Sequence, residues 1–192
     1  MILPFSTQLN GKATCFPEKI INGLFDGGII DWDKASALLN PMPFERNGNF
    51  HVILFEGTKP TNGKIHTIRE DITHRWCAGV MIDFYINNRK PDMFQFAPQT
   101  PCTATQKIEI LNMGEFPSDV PLSYVIYTPM IDEGEDYEHE QGYAIYVEGK
   151  LLSMTEAEDL AANDGFDSIE DFFKYFNSDF EGKIIHWTDK RY

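Results

Sequence analysis

Gly63-Lys64-Ile65-His66-Thr67-Ile68-Arg69-Glu70-Asp71, followed closely by Arg75-Trp76-Cys77-Ala78-Gly79, decides how the chain is read. Basic, hydroxyl and acidic groups crowd around two isoleucines. The segment then runs into Val80, Ile82, Phe84 and Ile86, an alternation with the period of a half-buried strand. Polar chemistry is being held by a sheet, and the rest of the chain reads as its support.

Outward from that strip, Phe16, Ile20, Ile21 and Leu24 fall at helical spacing with Pro17 in the first turn, and a helix is expected to end near Gly27-Gly28. A second helix is expected over 32–39 and strands over 49–55 and 80–86. A turn at 87–92 leads to a short strand at 93–96. Further strands are expected at 103–111 and 122–127, separated by a loop at 112–121. Residues 132–140 read as a solvated acidic loop. A hairpin is expected to join 142–147 to 150–152 across Glu148-Gly149. Thr155 to Glu158 has the spacing of a capping box, with the helix stopping at Asn163-Asp164-Gly165. Asp167 with Glu170 opens another helix, whose Ile169, Phe172, Phe173 and Phe176 make one apolar face. The closing strand places Ile185 and Trp187 on one side and Ile184, His186 and Thr188 on the other. About eight short strands with helices at intervals argue a compact, barrel-like α+β domain spanning 1–192.

Composition bounds the function. The 192 residues are long enough to bury a core, and 42% are hydrophobic, with fifteen Phe and eight Tyr, which excludes a disordered tail. No apolar run reaches the roughly 20 residues that span a bilayer, and no secretion signal opens the chain, so a cytoplasmic location is expected. Cys15, Cys77 and Cys102 lack CxxC spacing and read as reduced thiols. No two of the five histidines have ligand spacing, so neither a metal nor another cofactor is expected. Sixteen Lys and Arg against thirty Asp and Glu give a net charge of −14, the wrong sign for a long nucleic-acid duplex. A nucleic-acid contact would rest on a local patch at Lys64, Arg69, Arg75, Arg89 and Lys90.

Three segments together resemble a family: Gly63 through Arg69, with the form Gly-Lys-x-x-Thr-x-Arg; Trp76 to Gly79; and Ala161 to Phe172, carrying Asp-Gly-Phe-x-Ser. In this order they resemble the ASCH domains of the PUA-like superfamily, over about half the chain, with residues 26–62 and 112–141 as additions. The resemblance implies a mixed β-barrel with flanking helices and a cleft beside the lysine-bearing loop that recognises a nucleoside or a short RNA element. Some members are amidohydrolases that deacetylate N-acetylcytidine with a Lys, a Thr three residues later and a Glu. By motif those positions are Lys64, Thr67 and Asp164, the last an Asp where the family has Glu.

Such chemistry needs a nucleophile, a proton acceptor and oxyanion donors. Thr67 requires a neutral Lys64, hence burial or nearby positive charge. Residues three apart on a strand face oppositely, so Lys64 and Thr67 share a site only if the chain is still irregular at Lys64. Around them, Arg69, Glu70, Arg75, Trp76, Arg89 and His186 are the candidate ligand contacts. Each also has a plainer reading: Arg69 with Glu70 and Asp71 as a surface ion-pair cluster, Trp76 as a packing residue, His186 as a core histidine, and His66 as a surface histidine. Two other functions stand beside hydrolysis, a non-catalytic RNA-binding module and a protein-interaction domain whose additions contact a partner over a vestigial cleft.

Overall fold

The computed structural model describes residues 1–9, 11–39, 45–46, 49–50, 63–115, 126–130 and 139–192. In chain order, β1 (Ile2–Phe5), β2 (Gln8–Leu9) and β3 (Lys12–Ala13) precede α1 (Phe16–Asp26) and α2 (Trp32–Leu39). Next come β4 (Glu45–Arg46), β5 (Asn49–Phe50), β6 (His66–Arg69), β7 (Met81–Ile86), β8 (Phe94–Gln95), β9 (Thr100–Pro101) and β10 (Ala104–Glu115). They lead to β11 (Ile126–Met130), β12 (His139–Val147), β13 (Lys150–Leu151), α3 (Met154–Asn163), α4 (Ile169–Tyr175) and β14 (Phe180–His186).

The protein is α+β, but the expected barrel does not close among the described residues. One sheet runs β11-β12-β10-β14-β6, with β13 paired to β12, and a separate sheet runs β1-β7-β8, with β9 also on β7. β14 stands between two cores. Ile185 and Trp187 enter one core with Phe5, Phe84, Phe96 and the buried face of α1, whereas Ile184 enters a second core with Ile108, Ile110, Phe172 and Phe173. β14 is therefore apolar on both faces, with one core on each side of it. At about 25 cal/mol per Å² of apolar surface, each fully buried Ile or Phe contributes on the order of 1.5–3 kcal/mol.

Local signals were right in kind and often shifted in register. The α3 capping box uses Ser153, whose hydroxyl accepts from the Glu156 amide, because Thr155 already lies within the first turn. Ser168, not Asp167, caps α4. The expected loop at 112 starts later: β10 continues to Glu115 past a bulge between Asn112 and Gly114, where Gly114 takes φ +75°. The Glu148-Gly149 hairpin forms with φ of 51° and 79°, the positive pair a two-residue turn requires.

The described parts of the two additions carry regular elements: α2 packs on α1, and β11 and the start of β12 extend the ladder built on β10. Residues 51–55 of the expected strand at 49–55, 122–125 of the strand at 122–127 and 132–138 of the acidic run lie outside the described residues. Among the described residues, no helix is long and apolar enough to cross a membrane.

Candidate functional site

Residues 63–65 are irregular, and the strand starts only at His66, which meets the condition for Lys64 and Thr67 to reach one site. Two backbone bonds pin the segment: Lys64 N–H donates to the Lys19 carbonyl at 2.8 Å and Ile65 N–H to the Asn163 carbonyl at 3.0 Å. Only glycine permits this approach. A Cβ on Gly63 would stand 2.8 Å from the Gly23 Cα, and one on Gly23 would collide with the Lys64 carbonyl. The lysine loop is thereby fixed between α1 and the C-terminal end of α3.

That end is Asp164, the residue capping α3. Lys64 Nζ donates to Asp164 Oδ1 at 2.5 Å and also to the Asp164 main-chain carbonyl, and the Ile68 N–H donates to the same carboxylate oxygen at 3.3 Å. Lys64 is 1% exposed, Asp164 4% and Thr67 2%. The Lys64 ammonium stands 4.8 Å from the centre of the Phe16 ring and 5.9 Å from that of Phe5. Burial nevertheless brings the lysine down to about 8, against the pull of Asp164, with Arg69 and Lys19 pushing the same way as burial. Burial likewise raises the Asp164 carboxyl, opposed by Lys64 and Arg69. Burial disfavours the charged form of both partners, and their mutual attraction opposes it.

Lys64, Thr67, Arg69 and Asp164 line one cavity of about 30 Å³, room for a single water or a methyl-sized group. Arg69 Nη2 donates to the Pro4 carbonyl at 2.9 Å, and the guanidinium lies 5.4 Å from the Phe5 ring centre. Its buried Nε has no hydrogen-bond partner among the described residues. The cavity shares Leu9, Phe16, Phe166 and Tyr175 with a larger groove of about 250 Å³.

The remaining expected contacts are elsewhere. Glu70 faces a different surface groove, with Asp71, His74 and Lys183. Arg75 is exposed, and its N–H donates to Asp71. Trp76 is buried in the first core, a packing residue. Arg89 occupies the exposed turn after β7 with φ +63°. His186 is buried, and so, contrary to expectation, is His66: the two face each other across β6 and β14 with ring centres 5.4 Å apart and Tyr192 packed on the pair. Strand alternation alone could not tell a solvated face from one covered by α3. Phe16, Phe166 and Tyr175 also wall the site, a role that no motif in the sequence marks. Tyr175 had a faint signal, since it falls off the apolar stripe of α4. Among the described residues, no cluster of three or more His, Cys, Asp or Glu could hold a metal. No family model, curated protein or solved structure matches the chain.

Proposed function

We propose that the protein is an ASCH-type amidohydrolase that removes a small acyl group from an acylated nucleoside. One observation carries the reading: Lys64 and Asp164, 100 residues apart and both almost fully buried, share a hydrogen bond beside a small cavity whose wall includes the hydroxyl-bearing Thr67. A lone buried Lys–Asp pair costs several kcal/mol in desolvation and is a poor stabilising device, which favours a chemical role.

In this reading Thr67 Oγ attacks the amide carbonyl carbon while neutral Lys64 Nζ takes the hydroxyl proton. The oxyanion is met by the unpartnered Arg69 Nε. Collapse breaks the C–N bond, and Lys64 returns the proton to the departing amine, leaving an ester on Thr67. Water, deprotonated by Lys64, then hydrolyses that ester to release the carboxylic acid and restore the hydroxyl. Asp164 orients the amine and exchanges a proton with it. The small cavity volume fits only the methyl end of a short acyl group.

The RNA-binding alternative loses support from the placement of Arg75 and Arg89, neither of which lines this cavity. The test is acetate release from N-acetylcytidine by purified protein. Wild type is expected to turn the substrate over, and Lys64→Ala, checked for folding by circular dichroism, to be inactive. A wild-type protein that releases no acetate refutes the enzymatic reading.

A further inference from the structure

The chain carries thirty acidic against sixteen basic side chains, yet the two adjoining cavities at the candidate site reverse that balance. Their walls hold Lys12, Lys19, Lys64, Lys174 and Arg69 against only Asp164, Asp167 and Asp171. The groove beside β6 shows the contrast: of about 610 Å³, it is lined by Glu70, Asp71 and Glu181 against Lys107 and Lys183. A local excess of positive charge in a strongly negative molecule marks the wall that an anion can approach.

The cations are not equally committed. Lys64 is bound to Asp164, and Lys19 donates to Asp167 at 2.6 Å and to the Gly165 carbonyl at 2.8 Å. Lys174 has only a long contact of 3.3 Å to Asp171 on its own helix, and Lys12, on β3, has no carboxylate partner among the described residues. The two least committed ammonium groups therefore belong to the outer groove, while the inner cavity holds the internally neutralised pair. Between them runs an aromatic wall. The Phe166 ring centre lies 6.3 Å from that of Phe16 and 5.8 Å from that of Tyr175, and Tyr175 is 44% exposed. Phe16 and Phe166 are buried, so the exposed Tyr175, which lines both cavities, is the ring on which a planar base can stack between the inner pair and the outer lysines.

From this polarity we propose that the preferred substrate is phosphorylated: the outer groove receives the phosphate of an acylated nucleotide, held by Lys12 and Lys174, so that the nucleotide binds more tightly than the free nucleoside. The inference rests on the nucleoside-directed reading of the inner cavity and adds the charged end of the ligand. The phosphate has two sources, a free 5′-mononucleotide and the end of a short RNA strand.

Titration calorimetry separates these without depending on turnover. The ligands are cytidine, cytidine 5′-monophosphate and a short single-stranded oligoribonucleotide ending in cytidine, each at low and at raised salt. The monophosphate is expected to bind about ten-fold tighter than cytidine at low salt, as one charge-assisted contact implies, and to lose that advantage as salt rises. The double variant Lys12→Gln/Lys174→Gln is expected to remove most of the difference between the two ligands. An oligoribonucleotide that outbinds the monophosphate assigns the phosphate to a strand, and one that binds no better assigns it to a free nucleotide. Cytidine and its monophosphate binding equally, or an advantage that survives the double substitution, overturns the phosphate assignment alone. Failure of every ligand to bind overturns it together with the nucleoside reading.

Discussion

His186 offers the sharpest quantitative test of how the two sides of the main sheet are built. Its ring is buried against His66, and neither ring nitrogen has a hydrogen-bond partner among the described residues. Burial, reinforced by the Arg191 guanidinium, lowers it to about 3. His66 is pressed the same way by burial, by His186 and by the ammonium groups of Lys64 and Lys190, with only the Leu160 backbone opposing. The unfolded chain takes up a proton on each imidazole near pH ~6.5 while the folded chain keeps His186 neutral, so the unfolded state binds more protons and stability falls as pH drops below that value. At about pH 5 the loss due to His186 is about 2 kcal/mol relative to about pH 8, fixed by the unfolded titration because the folded one lies lower still. Asp164 works in the opposite sense, since burial raises its carboxyl and the folded state gains protons on acidification. Asp71, lowered by Lys183 and two backbone amides against its own desolvation, loses its contribution only at more acidic pH. A comparison between proteins therefore isolates the ring. Urea denaturation of wild type and His186→Phe, each at about pH 8 and about pH 5, is the assay. Wild type should lose about 2 kcal/mol more than the variant across that interval. Equal losses would refute the claim that His186 is held neutral by burial.

Three further outcomes follow from the site. Asp164→Asn leaves the Lys64 amine buried without a counter-charge and should cost about 3–5 kcal/mol, whereas Lys64→Met with Asp164→Leu should recover most of that stability without activity; both are read from urea midpoints and acetate release. Gly165 has φ +89°, and an added Cβ would stand 3.1 Å from Lys64 Cδ and from the Phe16 ring, so Gly165→Ala should destabilise by about 1–3 kcal/mol in the same assay. With Lys64 lowered to about 8, the rate of acyl transfer should rise with pH and level off above that value; a limb centred near the ordinary lysine value of about 10.4 would show that Lys64 is not the base.

What the residues disclosed in advance was mainly local. Pro17, the stripe through Phe16, Ile20, Ile21 and Leu24, and the Glu148-Gly149 turn act over a few positions, so their period and chemistry can be read directly. α2 was placed over the residues it occupies, and the two faces of β14 were assigned correctly. The division into separate sheets is not legible in the sequence, because one of them depends on β1 choosing β7 as a parallel neighbour about 80 residues away. The site divided along the same line. Lys64, Thr67, Arg69 and Asp164 came from motif spacing, and the structure brings them to one cavity. The outer groove gathers Lys12, Lys19 and Lys174 from separate elements with no shared spacing. His66 reads as a surface residue yet is buried, because alternation reports which way a side chain points and not what lies beyond it.

The placement of β14 between two cores has a consequence for how the chain emerges during synthesis. Every other described element precedes it, yet Ile184 is needed by one core and Ile185 and Trp187 by the other. The nascent polypeptide therefore carries two unfinished apolar assemblies until Ile184, Ile185 and Trp187 have cleared the exit tunnel.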